Sequence, residues 1–199
     1  SFSRDALRTS LHESLRKLRM EQVDLTLIHW PSPGDAVPME EYLGALADAK
    51  AEGLTRAIGI SNFTIAQTRR AIDLLGADAI ATNQIEIHPY LQNRLLVRYL
   101  QEQNIPITAY MSLAYGEVLK DPVIQAIATG HQATPAQVAL AWALQQGFAV
   151  IPSSTRRENL ASNLQATALR LTDEDMARIA TLERGQRLAN PDGIAPAWD

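Results

Sequence analysis

Five apolar runs in this 199-residue sequence end in residues whose side chains can do chemistry. The first, "VDLTLI", ends at His29 and Trp30; the second, "TRAIGI", ends at Ser61 and Asn62. The third carries Gln84 and Glu86, the fourth closes on Tyr110 with Ser112 two residues on, and the last runs into Ser153, Ser154 and Thr155. A polar residue after a buried run is often only a turn former. Five such ends in succession nevertheless assemble an imidazole, two primary carboxamides, a phenol and a set of hydroxyls. Asn62 and Gln84 each offer two donors and an acceptor, the complement of a carboxamide on a ligand. Tyr110 offers a flat aromatic face. A nicotinamide ring needs both, hydrogen bonds to fix its carboxamide and a surface to stack on, so that its other face meets substrate. In "SSTRRENL", hydroxyls and backbone N–H groups at a helix start stand beside Arg156 and Arg157, a place suited to a phosphate.

Other chemistries fit these residues less well. A metal-dependent hydrolase would use His29, Glu86 and His88, but there is no His-x-His pair and no strand-end aspartate to complete the ligand set, so no metal is expected. Lys17, Lys50 and Lys120 fall in helices or beside their ends, which leaves no Schiff-base nucleophile at a strand end. With no cysteine there is no disulfide framework and no thiolate nucleophile, which suits a reducing compartment, and a cytoplasmic setting is expected. The net charge of −4 and the scattered placement of the 18 Lys and Arg residues argue against nucleic acid as a partner. The longest uncharged stretch, residues 134–155, is broken by "QQG" and two prolines and falls short of the ~18 apolar residues of a membrane span.

The elements that must position these residues alternate along the chain. Leu7, Leu11, Leu15 and Leu18 lie at helical spacing, so the chain starts almost at once in an amphipathic helix. "VDLTLIHW" then predicts a buried strand and "PMEEYLGALADAKAEG" a helix ended by Gly53. "TRAIGISNF" and the helix "IAQTRRAIDLLG" follow, the helix opened by Thr64 with Gln67 three residues on, a capping-box pattern. "AIATNQIEI" pairs with the helix "NRLLVRYLQEQN". "IPITAYMSL" precedes helices around "DPVIQAIATGH" and "TPAQVALAWALQQ", and "FAVIPSS" precedes "RRENLASNLQA" and a capped helix "TDEDMARIATLE". Strands each followed by a helix, with no run of hairpins, imply parallel strands joined by crossovers. No G-x-G occurs among the ten glycines, which removes the dinucleotide fingerprint and the P-loop and favours a (β/α)₈ TIM barrel, here a single domain over residues 1–199. A complete barrel needs eight strands and ~250 residues, so three strands are expected upstream of Ser1.

The quoted residues also resemble a known family. "VDLTLIHWP", "KAEGLTRAIGISNF", "NQIEIHPY", "AYMSLAYG" and "IPSSTRRENLASN" are similar, in order and spacing, to the aldo-keto reductases, NAD(P)H-dependent barrels that reduce aldehydes and ketones. Within the family, "IPSST" and the tail "APAWD" look most like the bacterial 2,5-diketo-D-gluconate reductases of the B type, whose members also reduce methylglyoxal and other 2-oxoaldehydes. The resemblance implies that His29 is catalytic, holding the substrate carbonyl oxygen, with Trp30 lining the substrate pocket. It implies that Ser61, Asn62 and Gln84 hold the nicotinamide carboxamide, that Tyr110 stacks on the ring, and that Met111, Ser112 and Leu113 run beside the pyrophosphate. Ser154, Thr155, Arg156 and Asn163 would hold the adenosine end. The family's usual lysine after "IP" and later arginine are Ser153 and Asn159 here, so NADPH is expected with NADH as an option, Arg156 supplying the charge. The family's Asp, proton-donating Tyr and Lys belong to earlier strands, so this chain alone is not expected to turn over. The expected partner is a small-molecule carbonyl substrate, and the expected state is a monomer. Two rivals remain: a redox-silent nicotinamide-nucleotide-binding subunit of the same fold, and the metal-dependent hydrolase.

Overall fold

In the computed structural model, which describes residues 2–199, strands and helices alternate as the apolar periodicity requires. Among the described residues, α1 (Arg4–Leu18) precedes β1 (Val23–Ile28) and α2 (Met39–Ala51); β2 (Thr55–Ser61) precedes α3 (Ile65–Leu75); and β3 (Ile80–Glu86) precedes α4 (Arg94–Glu102). Then come β4 (Ile107–Tyr110), α5 (Pro122–Gly130), α6 (Pro135–Gln145), β5 (Ala149–Val150), α7 (Arg157–Leu164) and α8 (Asp173–Ala180). The five strands form one parallel sheet in chain order, β1-β2-β3-β4-β5. No helix among the described residues is long and apolar enough to cross a membrane.

The chain divides into two compact units. One holds the residues up to Gln84 together with Leu95–Pro106 and Asn190–Asp199; the other holds Ile85–Arg94 and Ile107–Ala189. In the first, Leu11 and Leu15 of α1 pack with Ala49 of α2 and with Val23 and Leu54, while Leu18 points outward, just before Arg19 turns the chain through a left-handed cap. In the second, Tyr90, Ala114, Val118 and Ala139 form a buried cluster on which Leu113, Leu119, Leu182 and Leu188 pack. Helix starts follow the sequence signals. Thr64 with Gln67, Thr134 with Gln137 and Thr172 with Asp175 each close a reciprocal capping box, so the donors orphaned at the start of α3, α6 and α8 are satisfied locally.

Two strands are shorter than the apolar pattern predicts. β4 stops at Tyr110 because Met111 takes a left-handed φ of 57° and leaves the ladder. β5 is a two-residue ladder, Ala149 and Val150 against Thr108 and Ala109, because Pro152 has no N–H with which to continue it.

Gly59 decides the register at the middle of the first unit. β2 and β3 are offset by 22 at Ile58↔Ile80 and by 23 at Ile60↔Asn83 and Ser61↔Gln84, so the pairing slips by one residue beside Gly59. At the slip a Cβ on residue 59 would lie 2.6 Å from Leu27 Cδ2 and 2.9 Å from the Thr82 carbonyl oxygen, closer than real Cβ atoms come. Gly59→Ala must push β1 or β3 away, and overpacking of this kind costs about 1–3 kcal/mol. Urea unfolding of Gly59→Ala should show a lower midpoint with an unchanged slope; a parent-like midpoint would mean that the strands are not tightly apposed there.

Candidate active site

The slip beside Gly59 sets Ser61 opposite Gln84, where an unbroken register would have set it opposite Asn83. The Gln84 carbonyl oxygen accepts both the Asn62 backbone N–H, at 3.0 Å, and the Ser61 hydroxyl, at 2.7 Å. Asn62 then reaches across to the end of β1. Its Nδ2 donates to the His29 carbonyl oxygen at 2.9 Å, from a backbone at φ 63° that asparagine tolerates better than most residues. Ser61 and Asn62 are each only 1% exposed. The Gln84 side chain is half-buried and, among the described residues, makes no intramolecular hydrogen bond. Three of the five strand ends are thus bonded to one another, with Gln84 as the carboxamide left to meet a ligand.

His29 follows β1 directly and is solvent-exposed, its ring centroid 6.0 Å from that of Trp30 at an interplanar angle of 42°. Both residues line a cavity of about 450 Å³ that runs along β1, the edge strand of the described sheet, from Thr26; its other walls are mostly apolar, but Ser10 and Ser14 of α1 also face it. An exposed imidazole at the end of a mostly apolar cavity can donate to a carbonyl oxygen whose carbon skeleton packs on the walls.

In the second unit Tyr110 ends β4, and its carbonyl accepts the Ile87 N–H at 3.2 Å. Burial, followed by the negative charge of Glu86, pushes the phenol well above its ordinary pKa, so Tyr110 stays protonated and neutral at physiological pH. Beyond the left-handed Met111, the buried Ser112 hydroxyl turns back to donate to the Ala109 carbonyl at 3.2 Å. Leu113 lines a second cavity of about 230 Å³ with Ser153, Ser154, Asn159 and Asn163, beside Thr134 and Pro135 at the start of α6. Ser154 Oγ accepts the Arg156 N–H at 3.1 Å, which fixes the entry to α7. Thr155 and Arg156 lie outside this lining and are exposed; the Arg156 guanidinium stands 3.9 Å from Glu158. The structure therefore gathers Leu113, Ser154 and Asn163 with Ser153 and Asn159, the two positions where the usual lysine and arginine are replaced. No lysine or arginine lines this cavity.

One strand-end residue has a role that sequence reasoning missed. Glu86 is fully buried, and its carboxylate accepts His88 Nε2 at 2.9 Å and the backbone N–H groups of Leu188 at 2.7 Å and Ala189 at 2.8 Å. Burial raises its pKa, but the His88 bond and then the two amides outweigh this and hold the carboxyl below its ordinary value. The signal was available: a carboxylate inside the apolar run "QIEIHP" must find buried donors. With its oxygens so engaged, Glu86 is not disposed as a metal ligand, and no group of three His, Cys, Asp or Glu among the described residues could hold a metal ion.

Comparison with known proteins adds three findings. The model of the aldo/keto reductase family matches residues 1–184. The chain is 61% identical to the methylglyoxal reductase DkgB of Salmonella typhi and 59% identical to that of Escherichia coli O157:H7, in each case over all of its length and 74% of the relative's. Among solved structures, one described as a 2,5-diketo-D-gluconic acid reductase B has a TM-score of 0.94 at 41% identity and covers 100% of this chain and 70% of its own. A variant of Gox0644 solved in complex with NADPH has a TM-score of 0.88 at 37% identity, with 95% and 69% covered.

Replacing Asn62 separates its two structural roles. Asn62→Gly and Asn62→Ala both leave the His29 carbonyl without its donor, at a cost of about 0.5–1.5 kcal/mol for a part-buried hydrogen bond. Only alanine also strains the left-handed backbone, by about a further 1 kcal/mol. Chemical unfolding should therefore rank the parent above Asn62→Gly and Asn62→Gly above Asn62→Ala; equal stability of all three would remove Asn62 from the support of His29.

Proposed function

This chain belongs to the aldo/keto reductase family, and from that premise we propose that it acts in the NADPH-dependent reduction of small 2-oxoaldehydes such as methylglyoxal, with 2,5-diketo-D-gluconate as a related substrate. The observation that carries the reading is the exposed imidazole of His29, anchored through its own carbonyl by Asn62 and set with Trp30 on a largely apolar cavity. The identity to methylglyoxal reductases along the entire chain supports the choice of substrate class.

The residues present fit a nicotinamide cofactor on two observations of this structure. Among the described residues the Gln84 carboxamide has no intramolecular partner, which leaves it able to pair with a ligand carboxamide. The cavity at Leu113, Ser154 and Asn163 is lined by hydroxyls and amides above an apolar base, which suits an adenosine moiety. NADPH, when bound, supplies the hydride and the chain supplies position. In the first unit, Gln84 fixes the carboxamide, with Ser61 and Asn62 fixing Gln84 and His29. In the second, Tyr110 offers the aromatic face, Met111 and Ser112 carry the backbone that runs beside the pyrophosphate, and Ser154, Thr155, Arg156 and Asn163 hold the adenosine end. His29 donates to the carbonyl oxygen of the substrate, orienting it and stabilising the negative charge that would develop there, while the proton that completes the alcohol would come from the tyrosine that the family carries on its earlier strands.

The absence of lysine and arginine from the cavity lining leaves Arg156, at the start of α7, as the nearby cation for a 2′-phosphate. An exposed guanidinium gives a modest preference for NADPH over NADH.

Two measurements test the reading. In the protein that also carries the family's earlier strands, His29→Ala should lower kcat/KM for methylglyoxal by on the order of 10²-fold, the usual effect of removing one donor to a developing oxyanion, with the Kd for NADPH changed by no more than about twofold. Unchanged turnover would dismiss His29 as the carbonyl-binding group. Arg156→Ala should weaken NADPH binding by about 3–10-fold while leaving NADH within about twofold, measured by fluorescence titration; equal losses for both nucleotides would take Arg156 away from the 2′-phosphate.

A further inference from the structure

Two helices of the second unit, α6 and α7, contribute walls to the cavity that suits an adenosine moiety, and they differ in what holds them. Every residue of α6 from Val138 to Ala143 is buried. In α7 none is: Leu160 and Leu164 face solvent, and among the described residues from 153 to 170 Ala166 is the one buried side chain. An eight-residue helix falls well short of the ~12 residues at which isolated helices become even marginally stable, so it ordinarily depends on an apolar face packed against its neighbours. α7 lacks that face, yet it carries Asn159, Ser162 and Asn163 of the cavity lining.

The hold on α7 is polar and comes from α6. Gln137, the third residue of α6, is only 8% exposed. Its Oε1 accepts the Thr134 N–H at 2.9 Å, which is half of the capping box that opens the helix. Its Nε2 points to the other helix and donates to the Ser162 carbonyl at 3.0 Å, to Ser162 Oγ at 3.1 Å and to Gln165 Oε1 at 3.1 Å. Thr134 and Ser162 both line the cavity; Gln137 does not. At the far end of α6 a second glutamine fixes where the segment leaves: Gln145 Nε2 donates to the Leu171 carbonyl at 2.9 Å, and its Oε1 accepts the Leu171 N–H at 3.1 Å.

We propose that Gln137 is a positioning residue of the nucleotide cavity: one buried carboxamide, accepting from the start of α6 and donating to the last turn of α7, sets the spacing of the two walls that hold the adenosine end. The part of this statement that concerns the ligand rests on the reading of the cavity as the adenosine site; the tie between the helices does not. Only a primary carboxamide offers an acceptor and two donors at the end of one such side chain. Glutamate would serve the capping box equally well, and its charge would favour the start of α6. At α7 it would fail, because a carboxylate has no proton for the Ser162 carbonyl and would meet the negative end of that helix. The preference for glutamine over glutamate at position 137 therefore comes from α7 and not from the helix to which the residue belongs.

Gln137→Glu separates the two roles. Amide hydrogen exchange, measured without nucleotide, should be at least about tenfold faster at Ser162 and Asn163, while Leu140 and Ala141 in α6 exchange at the parent rate. Parent-like exchange at Ser162 and Asn163 overturns the tie. Titration with adenosine 2′,5′-bisphosphate should give a Kd raised by about tenfold, the scale of one or two lost hydrogen bonds. Faster exchange with an unchanged Kd overturns the link to the cavity. In the protein that also carries the family's earlier strands, KM for NADPH should rise by about the same factor with kcat within about twofold, a split that general destabilisation would not produce; a lower kcat at an unchanged KM overturns the positioning role. Should the variant fail to fold, the parent decides by NMR. Saturating adenosine 2′,5′-bisphosphate should then shift the Gln137 side-chain NH₂ protons together with the Ser162 N–H, and a saturated protein in which they stay in place overturns the proposal. A parent protein that does not bind the bisphosphate overturns the adenosine reading of the cavity, whereas the exchange result still decides the tie.

Discussion

The close approach of Gly59 to the Thr82 carbonyl is the constraint on which the strand ends of the first unit depend. Because side chains alternate along a strand, a one-residue change of register exchanges the faces of everything downstream. Here the exchange occurs at a glycine, where the absence of a Cβ lets β1 and β3 come within van der Waals reach of the same backbone. Ser61 consequently meets Gln84, the Gln84 carbonyl takes both Ser61 and the Asn62 amide, and the Asn62 side chain is released to hold His29. A steric condition in the middle of the sheet thus becomes the orientation of an imidazole at its end.

The second unit works through charge placement more than register. Burial and the nearby Glu86 carboxylate hold the Tyr110 phenol in its protonated, neutral form and make it a weaker acid than a free tyrosine. Its cavity takes hydroxyls and amides from α7 and from the turn after β5, and because β5 ends after two residues the chain reaches α7 through Ser153, Ser154 and Thr155 as an open turn. Pro152, which stops the ladder, is therefore part of the reason those hydroxyls are available.

What could be read from the linear sequence depends on how local the cause is. The capping box at Thr64, the parallel order of strands and the family motifs rest on residues a few positions apart, and all of them hold in the folded chain. The chemistry-bearing strand ends could be named, but not their partners. Ser61 and Asn62 are buried with hydrogen bonds to Gln84 and His29, partners that could not be read from β2 alone because the register slip at Gly59 depends on two neighbouring strands. The lengths of β4 and β5 were overestimated because a left-handed Met111 carries no compositional mark and because the apolar pattern of "FAVIPSS" outweighed its proline. Glu86 was visible only as an anomaly, a carboxylate in an apolar run, since its partners lie 102 and 103 residues further on.

That separation has a consequence for how the chain is made. At roughly 5–20 residues per second, a ribosome needs on the order of 10 s to travel from Glu86 to Ala189. During that interval β2, β3 and their helices can already assemble, yet the carboxylate at the end of β3 has not met the two backbone amides that share its burial. Until it does, burying the carboxylate without its donors would be costly, which disfavours apolar closure over this end of β3. The same atom group that secures the finished fold would thus serve, while synthesis is under way, as a solubilising placeholder for chain still to come.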